Sequence, residues 1–89
     1  MRGWDDADCS ELAGKTVALV RLATLAAIEA APASYQWGVG AALAAGATEE
    51  EIVATLVAVA PIIGAARVSS AVPELARALG YSVETWRDV

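Results

Sequence analysis

From Ala13 to about Ala30 the chain reads AGKTVALVRLATLAAIEA, and apolar residues return every three or four positions. Leu19, Leu22, Ala23 and Ala26 fall in one stripe, with Val20 and Ala27 beside it, which is the spacing of a helix that buries one side. Pro32 disfavours helical geometry in the residue before it, so AAPAS ends this element. A second helix is expected from about Ala33 or Ser34 to Ala45, with Gly46 as its left-handed terminator. In the TEEE that follows, Thr48 as N-cap and Glu51 at the third helical position form a capping box. The acidic first turn also suits the positive end of the helix dipole. The third helix runs to about Ile63, with Ile52, Leu56, Val59, Ala60 and Ile63 on one face. Val53 and Val57 widen that face, which predicts a helix buried on most sides.

Pro61 should kink or close the third helix, and Gly64 completes the break. AARVSSAVPELARALG makes a fourth helix, with Val68, Val72, Leu75 and Leu79 inward and Gly80 as its stop. Pro73 predicts a bend there, or two short helices with Pro73 opening the second. SVETWRDV is expected to add a final turn, with Ser82 as cap and Trp86 folded back on the body. No segment alternates like a strand, so the fold class is all-α: a short-helix bundle of about four to five helices. Residues 1–10 read as an acidic arm and 11–89 as a single helical domain.

Composition adds a demand for partners. The 89 residues are 57% hydrophobic and include 22 alanines and no phenylalanine. A chain this short buries little more than ~60% of its unfolded surface as a monomer, so so apolar a sequence calls for further burial. A homo-oligomer whose interfaces act as additional core is the simplest solution. The membrane alternative fails on length and capping. The uncharged run from Ala30 to Thr48 contains Pro32, Ser34, Gln36 and three glycines, and Ile52 to Ala66 is only 15 residues, against about 20 for a span. MRGWDDADCS has no apolar h-region, so a cytoplasmic protein is expected.

Net charge is −5 with scattered basic residues, which argues against nucleic acid as a partner. Cys9 is the single cysteine, so no intrachain disulfide can form, and there is no histidine. The commonest general base and metal ligand is therefore missing, and no metal or cofactor is suggested.

The block ALAAGATEEEIVATLVAVAP, joined to the preceding KTVALVRLATLAA, resembles the carboxymuconolactone decarboxylase family, which also contains the alkylhydroperoxidase D proteins. The likeness spans roughly residues 12–72. Its most specific part is Ala42, Gly46, Thr48, Glu51 and Ile52. Gly64 matches the family's glycine after the third helix, but the proline that often follows is absent from Gly64-Ala65-Ala66. The resemblance implies an all-α fold of short helices assembled into trimers or hexamers.

The family's reactive residues do not carry over. Its histidine on the second helix falls on Gly38, the two cysteines of the peroxidase branch on Ala31 and Ser34, and the first-helix glutamate on or beside Ala18. A thiol peroxidase needs one thiolate to attack and a second thiol to resolve the sulfenic acid. Cys9 alone, outside the matching region, cannot supply both. The decarboxylase route needs a group that manages a proton beside a developing carbanion, and without histidine that group would be a carboxylate, Tyr35 or a water.

Gly38 and Gly40 each cost a helix interior on the order of 1 kcal/mol relative to alanine, so both need a reason. One is a void where a catalytic side chain is missing; close packing is the commoner one. Ser34, Tyr35, Trp37 and Gly38 would line a ligand site, with Tyr35 as a phenolic hydrogen-bonding or acid–base group. Arg21 and Arg67 would clamp a carboxylate, or pair with Glu29, Glu51 or Glu74. Glu49, Glu50 and Glu51 are assigned to helix initiation. Three functions are thus open: a small-molecule-binding or structural oligomer without the family's chemistry, an enzyme on a small carboxylic acid, lactone or carbonyl compound with relocated acid–base residues, or a partner subunit acting through its acidic arm and Trp4.

Overall fold

The computed structural model describes residues 11–81. The arm at 1–10, with Trp4 and Cys9, and the turn expected at 82–89 lie outside the described residues. Four helices follow one another: α1 Gly14–Ala27, α2 Pro32–Ala44, α3 Glu49–Ile63 and α4 Ala65–Ala78. Among the described residues there is no strand. Each helix packs against the other three, and the contact between α1 and α2 is the most extensive.

The core takes one stripe from each helix at the i, i+4 spacing that puts side chains on one face. Ala18, Leu22 and Ala26 come from α1, Tyr35, Val39 and Ala42 from α2, Ile52 and Leu56 from α3, and Ala71 and Leu75 from α4. Ala18, Ala26, Ala42, Ala47, Ala71 and Ala76 make up half of the buried apolar set. Small side chains at these points let the helix backbones approach closely. On α1 the buried stripe keeps Leu22 and Ala26 but is turned toward Ala18: Ala18 is inside, Leu19 and Ala23 are only partly buried, and Val20 is exposed.

α3 begins as its sequence predicts. The Thr48 hydroxyl accepts from the Glu51 N–H at 3.0 Å, and the Glu51 carboxylate accepts from the Thr48 N–H at 2.9 Å. The helix continues through Pro61 and stops at Gly64, whose φ of 97° suits a residue without a side chain. α4 also continues through Pro73 as one element, so the division into two short helices does not occur. The carbonyl that Pro73 leaves without an N–H belongs to Ser69, on the exposed side of α4, where water can serve it.

α3 departs most from expectation. Ile52 and Leu56 are buried, but Val53 is 54%, Val57 67% and Ile62 86% exposed. The helix is buried on one side, not on most. Among the described residues no helix is long and apolar enough to cross a membrane.

Candidate functional site

The positions to which the resemblance assigns the family's reactive residues lie on α1 and at the start and middle of α2. Ala18 is 7% exposed in the core of α1. Ala31 is the N-cap of α2, and Ser34 is half-buried in its first turn. Of the two readings of Gly38, a void and close packing, the structure shows packing. A Cβ built on Gly38 would stand 2.9 Å from Leu25 Cδ1 and 3.1 Å from Leu22 Cδ2. Gly38 is therefore a contact point at which α2 lies against two leucines of α1. At Gly40 nothing lies within 4 Å of such a Cβ, so packing does not explain that glycine.

Two of the polar candidates serve the C-terminal end of α1. That end is a Schellman motif, in which the Glu29 N–H reaches the Ala26 carbonyl at 3.3 Å and the Ala30 N–H reaches the Leu25 carbonyl at 3.0 Å. Such motifs place a left-handed residue after the helix, usually glycine; here it is Glu29, at φ 54°. Gly46 and Gly80 occupy the same place after α2 and α4, with equivalent bonds. α1 therefore stops at Ala27, short of the expected Ala30, and nothing in the residue types signals it.

Tyr35 donates its phenolic hydrogen to the Leu25 carbonyl at 3.2 Å. Burial raises its pKa above 10.0, and the carboxylates of Glu74 and Glu29 add to the effect. A phenol held in its neutral form, with its proton directed at a backbone carbonyl, is a poor general base. Arg67, at the start of α4, donates from Nη1 to the Ala27 carbonyl at 2.6 Å and pairs with the Glu29 carboxylate at 3.3 Å. Arg67 thus satisfies a carbonyl that the end of α1 leaves open, and Tyr35 adds a second bond to one that the Ala30 N–H already meets. Trp37 is 57% exposed on the outside of α2. Arg21 is half-buried on α1.

An apolar groove of about 360 Å³ lies elsewhere, between α3 and α4. Val53 and Val57 form one wall, Val68 and Val72 the other, and Leu56 and Leu75 lie at its base. Its end is marked by Glu49, whose carboxylate accepts the Tyr81 hydroxyl at 2.8 Å. That bond raises the pKa of Tyr81. None of Arg21, Ser34, Tyr35, Trp37, Gly38 or Arg67 lines this groove. The apolar pattern places Val53 and Val57 in the core, whereas both are exposed at the groove; the sequence signal for the groove is a third helix with more apolar sides than one bundle face can cover. Among the described residues no group of three or more His, Cys, Asp or Glu side chains could hold a metal ion.

The bundle of short helices, with its capping box and its glycine after the third helix, defines a class before it defines a member. The sequence model of the carboxymuconolactone decarboxylase family matches residues 3–77, and the chain belongs to that family. No curated protein matches, and neither does any solved structure.

Proposed function

We propose that this chain is a structural, self-assembling member of the carboxymuconolactone decarboxylase family that does not perform the family's chemistry. The observation that carries the reading is the filled α1–α2 seam. Leu22 and Leu25 occupy the space beside Gly38, and Tyr35 and Arg67 are engaged with the carbonyls of Leu25 and Ala27. A site that moves protons needs a titratable group with access to substrate. At this seam the candidate phenol is 3% exposed and held neutral. The exposed apolar side of α3 supports assembly, since monomers rarely show contiguous apolar patches of more than a few hundred Å².

A second reading, binding of a small apolar molecule, is favoured by the α3–α4 groove, whose volume falls in the range of roughly 300–1,000 Å³ usual for ligand pockets. An enzyme on a small carboxylic acid, lactone or carbonyl compound would need its acid–base pair there, from Glu49 and Tyr81. The test is turnover by the purified protein of an organic hydroperoxide with excess dithiol, and of a carboxymuconolactone-type acid. The expected rate equals the protein-free blank for both. Turnover that survives in Cys9→Ser contradicts the proposal, and its loss in Glu49→Gln would move the chemistry to the groove.

A further inference from the structure

The outward side of α3 presents Val53, Ala54, Val57, Ala58, Pro61 and Ile62, all exposed, and no charged residue occurs from Ile52 to Ala66. The α3–α4 groove opens beside this ridge and shares Val53 and Val57 with it. A small molecule filling the groove would leave Ala58, Pro61 and Ile62 in water, so only a surface covers both features. One face thus carries a projection and a receptacle side by side, which is what an isologous contact across a two-fold axis requires.

Charge sets the direction of the pairing. Glu49, Glu50 and Glu51 lie together at the start of α3, and of these Glu51 is paired with Lys15. Two α3 helices side by side and parallel would bring both acidic turns into contact, at a like-charge cost. Antiparallel pairing sets them apart by about the helix length, roughly 20 Å at 1.5 Å per residue. Each acidic turn then faces the uncharged end of the other α3, near Arg67 at the start of α4.

We infer that α3 pairs antiparallel with α3 of a second copy, about a two-fold axis near Val57, each ridge seated in the other copy's α3–α4 groove. This rests on the assembly reading above and goes beyond it by naming the surface and its symmetry. Mass in solution, by sedimentation or light scattering, is measured for the full chain and for Val57→Glu, with helix content from circular dichroism. Val57 is 67% exposed in the single chain, so Val57→Glu should keep its helix content. The expected result is an even-numbered assembly that Val57→Glu halves, to single 9.1 kDa chains or, if the pair joins trimers, to trimers.

Cross-linking fixes the direction. In a Cys9→Ser background, Val57→Cys should oxidise to a disulfide-linked dimer, whereas Val53→Cys and Ile62→Cys should not. Antiparallel helices centred on Val57 separate those pairs by about 12 and 15 Å along the axis, beyond the ~7 Å Cα limit of a disulfide. Linking at all three positions, no link at Val57→Cys, an unchanged mass for Val57→Glu, or a trimeric wild type overturns the pairing and leaves assembly standing. A monomeric wild type overturns both and gives the groove to a small apolar molecule or to residues 82–89.

Discussion

The phenolic oxygen of Tyr35 lies 3.2 Å from the carbonyl oxygen of Leu25, which also accepts the Ala30 N–H at 3.0 Å. One carbonyl therefore closes α1 and fastens it to α2. The residue that the lack of histidine leaves as a candidate proton-handling group is engaged in structure.

Tyr35→Phe keeps the ring in the core, and the Leu25 carbonyl retains its bond from Ala30. The loss should be that of one hydrogen bond, about 1 kcal/mol in chemical denaturation. The pH dependence has a definite sign. The folded-state pKa of Tyr35 is raised above 10.0, so its contribution is complete below that value and is lost as pH rises through the folded pKa. Wild-type stability should fall on the alkaline side, and Tyr35→Phe should fall less steeply. Some slope remains, because the pKa of Tyr81 is also raised. Parallel alkaline slopes for the two proteins would count against the assignment.

Glu29 holds a left-handed backbone at φ 54° where α2 and α4 have glycine. A non-glycine residue there costs on the order of 1 kcal/mol. Glu29→Gly and Glu29→Ala both lose the exposed pairing with Arg67, so comparing them isolates the backbone. Glu29→Gly should be the more stable by about 1 kcal/mol in urea denaturation. Equal stability would mean that the turn relaxes in the alanine variant.

The capping box gives the acid limb. Its bond from the Thr48 N–H, with Lys15 adding a second, holds the Glu51 pKa below 4.5. A depressed folded-state pKa contributes stability that is present above about 4.5 and lost as pH falls through the folded value. Thermal melts of Glu51→Gln should therefore lose less than wild type between about pH 5 and 3. Thr48→Ala removes the cap itself and should cost about 1 kcal/mol at neutral pH. An acid limb unchanged in Glu51→Gln would place the acid-sensitive group elsewhere.

Much of the framework was legible because local chemistry specified it. Thr48 and Glu51 define the start of α3, and Gly46, Gly64 and Gly80 mark three helix ends. The end of α1 was not legible, because Glu29 takes a conformation that its side chain disfavours and the turn is supported from a distance, by Arg67 on the Ala27 carbonyl and Tyr35 on that of Leu25. At Pro73 the division into two helices does not occur, because the carbonyl it deprives of a donor, that of Ser69, lies on an exposed side where water can serve it. Apolar periodicity marked Val53 and Val57 as core, but it does not say which chain covers them. At the candidate site, the residue types at Gly38 and Tyr35 were correct clues to a special place on α2. What filled it depended on the rotation of α1, which sets Leu22 and Leu25 against Gly38.

The claim that α1 and α2 are packed shut at Gly38, the position to which the resemblance assigns the family's histidine, is tested most directly by the stabilities of Gly38→Ala and Gly40→Ala. Both variants gain helix propensity, worth up to about 1 kcal/mol. Gly40→Ala meets open space and should be more stable than wild type by most of that amount. Gly38→Ala must displace Leu25 and press on Leu22, which is 2% exposed, and overpacking of about 1–3 kcal/mol should leave it below wild type. If Gly38→Ala is instead as stable as Gly40→Ala, the seam has room, and a ligand or a reacting group could occupy it.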